Sequence, residues 1–139
     1  MINIPVRVKN LVKKWGTRDP FKLCKYLGIY VTFKDLGENT KGCYQKIKGK
    51  KTIIINSTLD DFSKKVVCAH ELGHGVCHSS REVQFSREYT LLPKNSIFEK
   101  QANEFSAELL VDENDDEYIY NCDIDFKILQ ELKNLKYKR

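Results

Sequence analysis

The sequence predicts an α+β fold in which a small, mainly antiparallel sheet packs against two helices, and three observations carry that prediction. Two strand-like runs flank a turn at Gly49, the signal of a hairpin. A proline-free stretch, residues 57–80, repeats its apolar residues at helical spacing. A second such stretch covers residues 97–110. With 139 residues, of which 41% are hydrophobic, the chain can bury one core, and residues 1–139 read as a single domain.

In chain order, Val6 to Trp15 and Pro20 to Tyr26 read as two short helices. Asp19 caps the second, and Pro20 takes its first helical position. Ile29 to Phe33 alternates like a strand and belongs at the outside of the sheet. Lys41 to Ile47 and Thr52 to Ile55 pair across the Gly49 turn. Asn56, Ser57 and Thr58 each offer a cap for the long helix. Asp60 and Asp61 add negative charge in its first turn, where the helix dipole favours it. Phe62, Val66, Val67, Ala69, Leu72, Gly73, Val76 and Cys77 then recur at helical spacing. Gly73 and Gly75 would weaken an exposed helix by about 1 kcal/mol each. In a buried helix they let another backbone come close. Ser79 to Asn95 lacks a clear period and reads as a loop. Ser96 and Glu99 form a capping-box pattern for the next helix. There Phe98, Ala102, Phe105 and Leu109 make an apolar stripe, with Glu99, Ala102, Asn103 and Ser106 on an adjoining face. An acidic loop, Asp112 to Glu117, precedes a final helix from Asp125 to Lys136, with Phe126, Leu129, Leu132 and Leu135 on one side.

The most informative segment is His70-Glu71-Leu72-Gly73-His74, because the chain has only three histidines. On a helix, residues four apart share a face and lie about 6 Å apart along the axis. Two imidazoles so placed can reach one metal ion, and Glu71 is left as a carboxylate that can act as a base. A hydrolytic zinc site takes three protein ligands and keeps one position open. The third ligand must come from another element. Glu99, on the 97–110 helix, is the best supplier, with Ala102 small enough for the two helices to pack closely. The plainer reading of Glu99 is the capping box alone. Glu104 and Glu108 fall on a more polar side and read as solvated. His78 shares the face of His70 and His74 but lies about 12 Å from His70 by helix rise. It reads as packing under the site or as support for a ligand. Cys77 reads as a small buried hydrophobe.

These residues, taken together, resemble the ImmA/IrrE family of metallopeptidases, small zincin-like proteins. The matching pieces are Asp19-Pro20-Phe21 leading into a helix that ends at Leu27-Gly28-Ile29, Gly42-Cys43-Tyr44, the strand Ile53 to Asn56, His70 to His78, and Glu99-x-x-Ala102-Asn103-x-Phe105-x-Ala107-x-Leu109-Leu110. The family often follows its double leucine with Met-Pro, where this chain has Val111-Asp112. The resemblance implies one Zn2+ per chain held by His70, His74 and Glu99, with Glu71 as the catalytic glutamate. Tyr44, His78 and Asn103 become candidates to steady the transition state or a ligand. It further implies a protein substrate, a DNA-binding transcriptional repressor often encoded on the same prophage or mobile element. Zincin folds commonly run extended substrate along a sheet edge, and Glu88 to Pro93 could border that groove.

Composition bounds the alternatives. No run of 18 apolar residues marks a membrane span. The N-terminus lacks an apolar signal core, and five cysteines without tight pairs suit a reducing cytoplasm. Residues 1–51 carry a net charge of +10, residues 52–126 a net −9 and residues 127–139 a net +4. The basic run Lys46 to Lys51 reads as a hairpin tip. It lacks the interleaved aromatics that stack on bases, so direct nucleic-acid binding is not expected. A non-catalytic metal-binding regulator, working by binding a repressor or toxin, is the alternative function. The intact Glu71 argues against it, since a pure binder has no use for that carboxylate.

Overall fold

Side-chain caps start the first two helices. Asn3 accepts from the Val6 amide at 3.2 Å and opens α1 (Ile4–Trp15). Asp19 accepts from the Phe21 amide at 2.9 Å and opens α2 (Pro20–Tyr26). Both helices carry a proline in the first turn, where a missing N–H costs nothing. α2 has the expected bounds. α1 starts two residues before Val6, because the cap is Asn3. The computed structural model describes residues 3–78, 84–85, 97–111 and 132–136.

The sheet is mixed, with four strands in the order β1-β3-β2-β4: β1 (Ile29–Lys34), β2 (Gly42–Ile47), β3 (Lys50–Asn56) and β4 (Gln84–Phe85). β2 and β3 form the expected hairpin. Its two-residue turn, Lys48-Gly49, has φ of 51° and 79°, the positive pair that matches strand twist. β1 lies at the edge and runs parallel to β3. β4 runs antiparallel to β2, pairing Phe85 with Tyr44. The sequence reading placed no strand between Ser79 and Asn95. Two residues are too few for an alternation to show, so only the pairing reveals β4. The Glu88–Pro93 border, the Ser96 cap, the acidic loop and Phe126 and Leu129 lie outside the described residues.

Asn56 ends β3 without capping the long helix. Its buried amide donates to the carbonyls of Gly37 and Thr40 at 2.7 and 2.8 Å and accepts from the Thr58 amide at 3.1 Å. It therefore ties down the loop between β1 and β2. The cap is Asp60, which accepts from the Ser63 amide at 2.7 Å. The expected cap at residues 56–58 is thus displaced to the residue immediately before α3 (Asp61–Cys77).

α3 is the central element. It packs on β2 and β3 on one side and on α4 (Ile97–Leu110) on the other. The two glycines divide this work, since residues two apart face directions about 200° apart on a helix. A Cβ on Gly75 would lie 3.1 Å from the Tyr44 ring and 3.3 Å from Ile29, on the sheet side. A Cβ on Gly73 would lie 3.2 Å from the Ala102 Cα and 3.0 Å from the Phe105 Cβ, on the α4 side. The expected close packing against Ala102 is present. Leu23, Ile53, Ile55, Leu72, Phe105 and Leu109 fill the main core. Phe62, Ala107, Val111 and Leu132 form a smaller one, where residues 132–136 are helical. Arg18 donates to the Glu108 and Leu109 carbonyls at 3.1 and 3.2 Å, satisfying the end of α4. Among the described residues no helix is long and apolar enough to cross a membrane.

Candidate metal centre

One turn of α3 separates His70 from His74, so their rings share a face, 5.0 Å apart and nearly perpendicular at 81°. Glu99 comes from α4, one turn before Ala102, where the Gly73 contact brings the helices together. His70 Nε2 lies 3.0 Å from Glu99 Oε2, and His74 Nε2 lies 3.0 Å from Glu99 Oε1. A single carboxylate thus faces both imidazoles, and donor atoms of all three residues fall within 4.8 Å of one another. The capping-box reading alone does not account for this double contact of Glu99.

The charges in this cluster are strongly coupled. Burial opposes a proton on His70, but the hydrogen bond to Glu99 and the charges of Glu71 and Glu99 outweigh it and raise its pKa. At His74 burial prevails and lowers the pKa to about 4. Burial works to raise the Glu99 pKa, yet hydrogen bonds from His70 and His74 hold it well below the usual carboxylate range. At neutral pH the centre therefore holds an ionised carboxylate against a neutral His74.

This donor set fits a metal ion. Two imidazoles and one carboxylate are the ligands of one class of hydrolytic zinc site. Ligands about 2.1 Å from a tetrahedral ion stand roughly 3.4 Å apart, within about half an ångström of the 3.0 Å between each imidazole and the carboxylate.

The other candidates fall at varied positions. Glu71 is fully buried, near enough for its charge to act on His70. Asn103, one turn beyond Glu99, makes a side-chain hydrogen bond to His70. Tyr44 sits on the other flank of α3, fully buried in the main core beneath Gly75, and burial pushes its phenol up to about 12. His78 caps the C-terminus of α3. Its Nδ1 lies 3.1 Å from His74 Nδ1, and its Nε2 lies 2.7 Å from Gln101 Oε1. Burial lowers its pKa. Phe98, expected in the apolar stripe, is 43% exposed, with its ring edge-on to His78 at 4.8 Å. Glu104 and Glu108 are half-buried where solvation was expected. Cys77 stays outside the donor group, its thiol pushed up to about 11 by burial.

Gln101 escaped the sequence reading, although a signal was there. It stands three residues after Phe98 and four before Phe105, on the apolar stripe itself. A polar side chain on such a stripe calls for a buried partner.

The IrrE N-terminal-like domain family of M78 peptidases matches residues 24–121. The chain belongs to the ImmA/IrrE family. The uncharacterized immunity region protein 2 of Bacillus phage phi105 is 37% identical over 108 residues, covering 78% of this chain and 68% of the relative. The metallopeptidase ImmA of Bacillus subtilis (strain 168) is 28% identical over 105 residues, covering 76% of this chain and 61% of ImmA. The aligned region therefore spans under two thirds of ImmA. No solved structure matches the chain. Family and relatives support a metallopeptidase-type role with a metal cofactor.

Proposed function

We propose that this chain is a cytoplasmic, zinc-dependent endopeptidase whose substrate is a DNA-binding transcriptional repressor, with residues 1–139 acting as one domain. The observation that carries the reading is the convergence of His70, His74 and Glu99, from two helices, next to the buried Glu71. Membership of a peptidase family supports peptide-bond hydrolysis. A relative named for a phage immunity region supports a repressor as the target. Free thiols at Cys24, Cys43, Cys68 and Cys77 agree with a reducing compartment.

His70 and His74 would hold the ion through Nε2, and Glu99 through its carboxylate. When bound, zinc supplies a Lewis acid that brings the pKa of water down to about 7 and polarises a peptide carbonyl. Glu71 takes a proton from the attacking water at its carboxylate and returns it to the departing amine. Asn103 steadies the ring of His70 from α4. The Tyr44 side chain supports α3 from the sheet and takes no proton near neutral pH.

Incubating the zinc-loaded protein with the repressor encoded nearest its gene, and reading intact masses, tests this proposal. Two complementary fragments are expected, lost on chelation and restored by added zinc. An uncut repressor in the presence of the zinc-loaded protein would contradict it.

A further inference from the structure

The direction of the hydrogen bonds beyond His74 depends on the two histidine tautomers, and the acceptor at their far end selects between them. Gln101 Oε1 is an amide oxygen and can only accept. His78 Nε2, 2.7 Å away, must therefore carry a proton. A neutral His78 then has a lone pair on Nδ1, which faces His74 Nδ1 at 3.1 Å. His74 must donate across that gap, so its own proton sits on Nδ1 and its lone pair on Nε2. That is the nitrogen facing Glu99. A His78 protonated on Nδ1 would reverse the chain and put the His74 proton on Nε2, against the donor set. The Phe98 ring, edge-on at 4.8 Å, and the backbone bond from His78 to the His74 carbonyl at 2.9 Å hold the His78 ring in place.

We propose that His78 and Gln101 are positioning residues that fix His74 as the Nδ1–H tautomer and so aim its Nε2 lone pair at the metal site. α4 then acts on the centre twice, through Glu99 as a ligand and through Gln101, two residues on, as the terminal acceptor. The proposal rests on the zinc reading above. General experience with metal sites puts such outer partners at roughly 10–100-fold in metal affinity.

Two measurements test it. The first is zinc affinity, by competition with a chromophoric chelator, in wild type, Gln101→Met and Gln101→Glu. Gln101→Met keeps the length of the side chain but removes the acceptor, and should weaken zinc about tenfold or more. Gln101→Glu keeps an acceptor and should recover most of the loss, with unfolding of the metal-free proteins unchanged. Wild-type affinity in Gln101→Met, or no recovery in Gln101→Glu, overturns the proposal. The second needs no variant. Long-range proton–nitrogen NMR of the zinc-loaded wild type, simplified by only three histidines, should show His74 protonated on Nδ1 and His78 on Nε2. A proton on His78 Nδ1 overturns the proposal while leaving the zinc site standing. Failure of the wild type to bind zinc overturns both readings together.

Discussion

Glu99 answers two imidazoles with one carboxylate, and the consequences are specific to that residue. Its removal takes from the half-buried His70 and the buried His74 the one carboxylate that faces both. Glu99→Ala should lower zinc affinity by at least about a hundredfold, as the loss of a direct ligand exceeds that of an outer partner. Equilibrium competition with a chelator checks this. Proton release should be uneven. The His74 pKa, lowered to about 4, leaves no proton there to displace near neutrality. The His70 pKa is raised, so metal binding must expel its proton. At about pH 6, where a water of pKa about 7 on zinc keeps its proton, zinc binding should therefore release the His70 proton, measured by calorimetry in buffers of differing ionisation enthalpy. Histidines four apart are local information, and His70, Glu71 and His74 were legible in the sequence for that reason. Glu99 was legible only with the second helix in view. Gln101 was passed over, although a polar side chain on the apolar stripe called for a buried partner.

Between elements, the distance from α3 to α4 decides whether Glu99 can reach the histidines at all. Gly73 sets that distance. Alanine there would gain about 1 kcal/mol in helix propensity but cost about 1–3 kcal/mol in overpacking. One clashing atom is the Ala102 backbone Cα, which cannot rotate away, so the overpacking term should win. Gly73→Ala should lower both unfolding stability, by chemical denaturation, and zinc affinity. Asn56→Ala makes a useful contrast. It strips two loop carbonyls of their donor and should cost about 1–3 kcal/mol, with zinc affinity little changed. Capping and turn chemistry made α2 and the β2–β3 hairpin readable from residues alone. β4 and the Asp60 cap were not readable, the first because two residues carry no period. The second was hidden among several adjacent residues able to cap, and Asn56 was drawn into loop bonding.

For the whole molecule, a metal on His70, His74 and Glu99 would join the helix lying on the sheet to the helix lying on top of it. Apolar packing around Leu72 and Phe105 and the hydrogen bond between His78 and Gln101 also hold these layers together. Zinc at about one hundred times its Kd should add about 2.7 kcal/mol, raising Tm by on the order of 10 °C. Thermal unfolding with and without a chelator checks this. The central claim is that these ligands and Glu71 together cut a peptide bond. The most direct test compares wild type with Glu71→Gln, measuring bound zinc and cleavage of the neighbouring repressor in the same samples. One zinc per chain in both proteins, with cleavage by the wild type alone, is the predicted result. Equal cleavage by the two proteins, or no zinc in the wild type, would contradict the account.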